Sequence, residues 1–199
     1  MQLLTPQSQK AILSLVSQPF PTQIQTTNQL YLAETTDGKK IAVKLTHHYS
    51  YELHMFCADC GYAPKLLGFE EFRNGYFAIA MEIVTSPLLI ENATGPEATQ
   101  LAEQLQELVK SFHAENFVHG DSRGPNILCD GNRVKVIDFD WGGKEGEVSY
   151  PNGLLNYDLM DERNSTNMKI TKADDLRVMC KTMKKLWQLE CGYCRSKHP

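Results

Sequence analysis

The pattern of apolar and polar positions predicts strands in the first part of the chain and helices around them. Residues 30–33 and 41–45 are apolar runs separated by turn residues at 36–39, which is typical of a β-hairpin. Residues 65–69 and 75–83 repeat this arrangement farther along. Two successive hairpins predict a small antiparallel sheet.

Helical periodicity marks the segments next to these strands. Residues 2–18 carry an apolar face and are followed by Pro19 and Pro21, which end a helix. Residues 49–60 and 173–189 each place apolar side chains on one side of a helix. We therefore expect three helices in these segments.

The longest apolar stripe covers residues 94–113. Its members recur at helical spacing: Ala98, Leu101, Ala102, Leu105, Leu108, Val109 and Phe112. Thr94 can cap the helix together with Glu97, and Pro96 suits the first turn. We expect this segment to be the central helix of the second half, with the stripe buried in the core.

Residues 117–141 combine short apolar strands with a polar loop. A strand at 117–118 leads into the loop, and strands at 127–129 and 134–137 flank a turn at 130–132. The turn reads Asp-Gly-Asn, and Gly and Asn tolerate the positive φ that hairpin turns need. The segment therefore predicts a third hairpin, which follows the long helix.

The polar side chains of this hairpin lie at one end of it. Asp121 and Asn126 come just before the first strand, and Asp138 and Asp140 come just after the second. Because paired antiparallel strands bring these ends together, the side chains converge. Carboxylate and amide oxygens suit a divalent metal ion. An ordinary polar hairpin is the alternative interpretation.

The spacing of these residues resembles the catalytic core of the protein-kinase-like superfamily. His119, Asp121 and Asn126 match the family's His-x-Asp-x-x-x-x-Asn catalytic loop. Asp138-Phe139-Asp140 resembles the metal-binding Asp-Phe-Gly, with an acid in place of the Gly. Residues 119–121, His-Gly-Asp, are similar to the loop of the aminoglycoside phosphotransferases and choline kinases.

The whole chain is most similar to short fungal protein-kinase-like proteins. Arg123 stands where Ser/Thr protein kinases usually have Lys, and residues 137–141 read Ile-Asp-Phe-Asp-Trp. The resemblance implies an α+β, two-lobed fold with a small antiparallel-sheet N-lobe and a minimal, mainly helical C-lobe. It implies one domain over residues 1–199, with the N-lobe at about 1–84 and the C-lobe at about 85–199.

The resemblance also assigns a nucleotide site in the N-lobe. Lys44, in an apolar strand, would reach the phosphates of ATP, and Glu52 would offset its burial. A solvent-exposed Lys on an edge strand is the alternative. Met81 would pack beside the adenine, and backbone groups of Glu82 and Val84 would pair with the adenine edge.

In the catalytic loop the resemblance implies a role for each polar residue. Asp121 would orient the acceptor hydroxyl and accept its proton, and Arg123 would stabilise the transferring group. Asn126 and Asp138 would hold Mg²⁺. His119 and, near the start of the last helix, Asp175 would support the loop structurally, although Asp175 could instead be a simple N-terminal helix charge. Asp140 is either a further metal ligand or a solvent-facing acid.

One expected part of a protein kinase is missing. The Gly-rich loop that covers the phosphates should precede residue 38, and no Gly occurs before that position. Three functions therefore remain open: a Ser/Thr protein kinase, a small-molecule kinase, and a catalytically weak pseudokinase that acts as a binding module. The first two would use ATP and Mg²⁺ and a protein or small-molecule hydroxyl substrate.

Composition narrows the class of partner. The chain of 199 residues is 42% hydrophobic and 22% charged, which is typical of a globular protein with a real core. Its net charge of −4, without a basic run, argues against nucleic acid and anionic membranes as partners. No apolar run approaches the roughly 18 residues of a membrane span, and no signal peptide is visible. We expect an intracellular, cytoplasmic or nuclear location.

The cysteines allow two interpretations. Cys57/Cys60 and Cys191/Cys194 form two CxxC pairs that could together bind zinc. Their separation of about 130 residues is far larger than in compact zinc ribbons. We expect structural thiols, with a zinc site or a redox pair as the alternatives.

Overall fold

The computed structural model describes residues 22–25, 29–73, 75–85, 87–151, 155–163 and 167–187. The helix that the sequence predicts over residues 2–18 lies outside these ranges. So does the second CxxC pair, Cys191 and Cys194, so the predicted alternatives for the cysteines stay untested. Of the cysteines within the described residues, Cys57, Cys129 and Cys180 are buried and Cys60 is exposed.

An antiparallel sheet forms the first part of the protein. Its strands are β1 (Thr22–Gln25), β2 (Leu30–Glu34), β3 (Lys40–Thr46), β4 (Leu66–Glu71) and β5 (Phe77–Glu82). Their order in the sheet is β1-β2-β3-β5-β4, so β3 is the central strand. Both hairpins that the sequence predicts for this part of the chain are therefore confirmed. The additional strand β1, from the stretch after Pro19 and Pro21, lies next to β2 at the edge of the sheet. A small apolar cluster stabilises this sheet: Ala33, Ile41, Val43, Ala78 and Ala80.

Helix α1 (Tyr51–Asp59) follows β3 directly and belongs to the first part. Helices and short strands build the second part. Its helices are α2 (Gly95–Ala114), α3 (Tyr157–Met160) and α4 (Lys172–Trp187). The short strands are β6 (Leu88–Leu89), β7 (Phe117–Val118), β8 (Ile127–Asp130), β9 (Arg133–Val136) and β10 (Gly143–Lys144). They form a sheet of order β6-β8-β9 and a separate β7–β10 pair.

The apolar stripe of α2 forms the main core, as its periodicity predicts. All seven stripe residues are buried, and most of them pack with the β8–β9 hairpin and with the inner side of α1. Phe139, which is 1% exposed, belongs to the same cluster. Phe139 therefore links the core of the second part to α1.

The predicted capping of α2 is wrong in its detail. Thr94 occupies the N-cap position with extended backbone, but its side chain makes no cap hydrogen bond. Pro96 does lie in the first turn, where its missing N–H costs nothing. The helix is therefore stabilised by burial of its apolar stripe rather than by a capping box.

Backbone hydrogen bonds join the two parts close to the polar loop. The amide of Ser50, just before α1, donates to the carbonyl of Phe139 over 2.9 Å. The amide of Val136 donates to the carbonyl of Tyr62 over 2.8 Å. Both bonds run between the sheet side and the hairpin, so they position the end of β9 against β3 and α1.

Within the described residues, no helix is long and apolar enough to cross a membrane.

Candidate active site

The β8–β9 hairpin brings the predicted loop residues to one end of the second part. Its register pairs Ile127 with Val136, so Asn126 before β8 lies beside Ile137 after β9. The amide of Ile137 donates to the carbonyl of Asn126 over 3.0 Å. Asn126 Nδ2 donates to the carbonyl of Asp121 over 3.0 Å. The loop and both hairpin ends therefore meet at one place.

Gly120 is required by the shape of this loop. Its φ of +81° lies in the left-handed region that favours glycine. A Cβ atom there would also lie 3.1 Å from Trp141 Cβ and 3.0 Å from Ile170 Cδ1. The space is thus filled by neighbouring side chains, which explains a Gly in the His-Gly-Asp sequence.

Asp175 of α4 lies beneath the same loop and accepts its backbone amides. The amides of His119 and Gly120 donate to its two carboxylate oxygens, each over 2.8 Å. His113 Nε2 lies 3.1 Å from the first of these oxygens. The neighbouring Asp174 binds elsewhere, to Arg163 and Thr171. The geometry places Asp175, not Asp174, where the sequence predicts a loop support.

His119 connects the loop to the end of β9. Its Nδ1 accepts the amide hydrogen of Asp121, so its Nε2 carries the proton that is donated to the carbonyl of Ile137 over 3.2 Å. The imidazole is completely buried. These bonds use both ring nitrogens, which agrees with structural support rather than proton transfer.

Asp121 forms a bidentate ion pair with Arg123. Arg123 Nε donates to one carboxylate oxygen over 2.5 Å, and Arg123 Nη2 donates to the other carboxylate oxygen over 2.8 Å. Hydrogen bonding to Asp121 is the main reason why the pKa of Arg123 is raised. Each oxygen of the Asp121 carboxylate thus accepts one hydrogen bond from Arg123, and the guanidinium lies directly beside the carboxylate.

Lys44 corrects one prediction. Its Nζ lies 2.6 Å from Asp138 Oδ1 and 2.6 Å from Asp140 Oδ1. Glu52, the predicted partner, is exposed on α1, and the salt bridges of Lys44 within the described residues do not include it. The eight-residue spacing of Lys44 and Glu52 is compatible with contact, but α1 turns Leu53, His54 and Cys57 inward instead.

The charges around Lys44 shift three pKa values. Burial lowers the pKa of Lys44, but the two carboxylates outweigh burial and raise it. Burial raises the pKa of Asp140 to about 6, because repulsion from Asp138 adds to burial and Lys44 only partly offsets both. Burial also acts to raise the pKa of Asp138, but Lys44 outweighs it and the pKa is lowered. Asp138 therefore keeps its charge to lower pH than Asp140.

The donor atoms near Asp138 fit the chemistry of Mg²⁺. Asn126 uses its nitrogen on the loop backbone, which leaves the amide oxygen for another partner. The Asp138 side chain is 24% exposed, so a ligand can reach it. Its φ of +67° is unusual for a residue with a side chain and is typical of a constrained functional position. No group of three or more His, Cys, Asp or Glu residues in the described part of the chain could hold a metal ion, so phosphate or water oxygens would have to complete the site.

The predicted adenine contacts lie at the end of β5. Met81 pairs with Ala42 of the neighbouring strand β3, two residues before Lys44. The backbone amide of Glu82 already donates to the carbonyl of Lys65 over 3.0 Å, and its side chain binds Lys39. The amide of Glu82 is therefore already engaged, and the pairing of the Glu82 and Val84 backbone groups with adenine stays a prediction. Val84 lies just beyond the strand and is half-buried.

Two aromatic groups that the sequence analysis did not single out contact Phe139. The His54 ring stacks on Phe139 with centroids 4.6 Å apart, and the Tyr49 ring meets Phe139 edge-on at 6.2 Å. The Tyr49 hydroxyl donates to His54 Nδ1 over 2.6 Å, and His54 Nε2 donates to the carbonyl of Pro64 over 2.8 Å. A helix position filled by His among apolar neighbours was the available sequence signal. Tyr150, which donates to the carbonyl of Gly120 over 2.8 Å, anchors the following segment.

A cavity of about 460 Å³ opens beside Asp140, between the sheet and the segment after Trp141. Its walls include Tyr49, Phe77, Asp140, Trp141 and Glu147. Its lining is partly aromatic and partly polar.

Solved protein kinases have the same fold as this chain. The structure of the Cydia pomonella granulovirus kinase PK-1 superposes with a TM-score of 0.68 at 18% identity, covering 88% of this chain and 71% of that one. Vaccinia related kinase 3 gives 0.56 at 16% identity, covering 92% and 67%. The BubR1 kinase domain gives 0.58 at 16% identity, covering 85% and 61%.

These similarities establish the fold alone. The protein has an α+β, protein-kinase-like fold, with an antiparallel sheet followed by a mainly helical part, as the sequence predicts. No family model matches the chain, and no curated protein matches its sequence.

Proposed function

We propose that this protein is an ATP- and Mg²⁺-dependent phosphotransferase that moves the γ-phosphate of ATP to a hydroxyl group. The observation that carries the proposal is the convergence at one hairpin end of Asp121, Asn126 and Asp138, with Lys44 reaching that end from β3. A base, an amide oxygen, a carboxylate and an ammonium group are the parts that phosphoryl transfer needs.

Each residue of the proposed site would have its own role in phosphoryl transfer. Asp121 would accept the proton of the acceptor hydroxyl at a carboxylate lone pair that Arg123 does not use. Arg123 would then stay close enough to stabilise the transferring group. Lys44 would bind the phosphates, with Met81, the carbonyl of Glu82 and Val84 at the adenine. Asn126 and Asp138 would hold Mg²⁺, which when bound neutralises charge on the phosphate oxygens.

A Ser/Thr protein kinase is the first hypothesis for the acceptor. Arg123 and the similarity to solved protein kinases support it. A small-molecule kinase is the second hypothesis, and the aromatic cavity beside Asp140 favours it. A pseudokinase binding module is supported by the lack of Gly between β1 and β2.

We propose that neither nucleic acid nor a membrane is a partner of this protein. We propose a cytoplasmic or nuclear location.

A thermal-shift titration with ATP, with and without Mg²⁺, tests the nucleotide site. Bound nucleotide should raise the melting temperature in a concentration-dependent way, corresponding to about 2.7 kcal/mol at 100 times Kd. Asp138→Asn should lose the Mg²⁺-dependent part of this shift. Asp130→Asn changes an exposed acid in the same hairpin and should retain it. If millimolar ATP causes no shift, the phosphotransferase proposal is wrong.

A transfer assay with labelled ATP then tests the chemistry and the acceptor class. Asp121→Asn should reduce transfer by about 10²–10⁴-fold, as expected for loss of a general base, while the ATP-dependent thermal shift persists. Label that precipitates with protein indicates a protein acceptor, and soluble label on an added alcohol or aminoglycoside indicates a small-molecule acceptor. Unchanged turnover in Asp121→Asn would remove Asp121 from the mechanism.

A further inference from the structure

Asp140 is bound to strand β3 at two points. Its Oδ1 lies 2.6 Å from Lys44 Nζ, and its Oδ2 accepts the hydroxyl of Thr46 over 3.0 Å. Thr46 shares this hydroxyl with the carbonyl of His48, at 3.1 Å. Because Lys44 and Thr46 are two residues apart in a strand, their side chains lie on the same face. One carboxylate therefore holds two neighbouring side chains on that face of β3.

Helix α1 contributes no carboxylate to this face. Its buried positions are Leu53, His54 and Cys57, and its acid in the first turn, Glu52, is exposed. His54 is already occupied by Tyr49 and Pro64. Asp138 and Asp140 are therefore the acids that balance Lys44 within the described residues.

Lys44 needs such a balance because it is almost completely buried. Its exposed fraction is 6%, and a buried ammonium without an opposite charge is strongly destabilised. Under the proposed function Asp138 would turn toward Mg²⁺. Asp140 then remains to hold the ammonium group, and its second oxygen is already fixed by Thr46.

We propose that Asp140 is the positioning residue that directs Lys44 toward the phosphates, in the place of a helix carboxylate. This inference rests on the proposed nucleotide site. It explains why an acid stands where the resembled motif has Gly. It also means that the position of Lys44 is set by the Asp-Phe-Asp segment and β3, not by the orientation of α1.

Nucleotide binding with and without metal tests this inference directly. We would measure the Kd of ATP by calorimetry, both with Mg²⁺ and in EDTA, for the wild type, Asp140→Asn, Thr46→Val and Glu52→Gln. Mg²⁺ engages Asp138, and EDTA removes any contribution of Asp140 as a metal ligand. Loss of a hydrogen bond to a charged group costs about 1.5–3 kcal/mol, so Asp140→Asn should weaken ATP binding by about tenfold or more. Glu52→Gln, the matched change of an exposed acid, should leave Kd unchanged.

Thr46→Val supplies a second test that keeps the charge of Asp140. It should weaken ATP binding in the same direction but less, by roughly threefold, which is about 0.65 kcal/mol. The double variant should bind no more weakly than Asp140→Asn, because both changes remove the same restraint on Lys44. A merely structural role would lower the melting temperature of the variants without this coupled change in Kd.

The outcomes separate this inference from the proposed function. If the wild type binds ATP neither with Mg²⁺ nor in EDTA, both are wrong. If the wild type binds ATP and Asp140→Asn binds it equally well or more tightly, Asp140 does not position Lys44 and the proposed function stands. Equal losses in Glu52→Gln and Asp140→Asn would also overturn the inference. If Asp140→Asn does not fold, unchanged Kd in Thr46→Val decides against it.

Discussion

His54 is a polar residue at a buried position of α1, where the helical pattern predicts an apolar side chain. It lies on the inward side of α1, completely buried, and stacks on Phe139. Both ring nitrogens have partners, so the neutral form is fully hydrogen-bonded. Burial lowers the pKa of His54 from 6.5 to about 4, only partly opposed by the carbonyl of Pro64. The side chain therefore remains neutral at physiological pH.

This pKa predicts a pH-dependent contribution to stability. Between pH 6.5 and about 4 the unfolded chain binds a proton at His54 that the folded chain does not bind. The contribution of His54 is thus complete above pH 6.5 and is lost as the pH falls toward 4. We expect His54→Gln to be less stable than the wild type at pH 7, with the difference shrinking at about pH 4.5, measured by urea unfolding.

The exposed His48 supplies the control for this experiment. His48→Gln makes the same substitution at an exposed position and serves as the matched comparison. Asp140, whose raised pKa acts in the opposite direction over the same range, is present in all three proteins and cancels in the comparison. A difference between wild type and His54→Gln that is independent of pH would contradict the assigned pKa.

At the scale of secondary-structure elements, α4 supports the polar loop after β7 through one carboxylate. Asp175 is buried, and its two oxygens accept the amides of His119 and Gly120. The same loop is held from the other side by Tyr150. Because loop amides point at α4, the loop conformation depends on a helix that lies more than 50 residues farther along the chain.

Asp175→Asn should therefore destabilise the protein. An amide offers one oxygen where the carboxylate offers two, so one buried amide loses its partner at a cost of about 1–3 kcal/mol. Urea unfolding should show this loss, and amide hydrogen exchange at Gly120 should become faster. Asp59→Asn, on the exposed end of α1, should change stability by less than about 0.5 kcal/mol. Equal protection of Gly120 in both variants would exclude the support role.

At the scale of the whole molecule, Phe139 joins the sheet side to the helical part. It belongs to the main core, contacts His54 of α1 and lies 5.2 Å from the ring of His119. Its carbonyl accepts the amide of Ser50 just before α1. One side chain in the Asp-Phe-Asp segment thus packs against both parts of the fold.

We expect Phe139→Ala to lower the free energy of unfolding by about 3–5 kcal/mol, the usual range for truncating a buried aromatic. Denaturant unfolding monitored by circular dichroism and by tryptophan fluorescence would measure it. Leu88→Ala should have little effect, because Leu88 is 59% exposed. If Phe139 joins the two parts, the two probes should give separate transitions in Phe139→Ala, and coincident transitions would argue against that function.

The sequence by itself determined the elements and the location of the candidate site. Spacing and periodicity are local properties, so the two hairpins, the long helix and the cluster of Asp121, Asn126 and Asp138 followed from nearby residues. The tertiary structure decided the partners. A rotation of α1 by about half a turn would exchange Glu52 for His54 on the inward side, and packing against the hairpin decides that orientation. Lys44 therefore pairs with acids more than 90 residues away, because packing of the hairpin against β3 sets which carboxylates meet a buried charge.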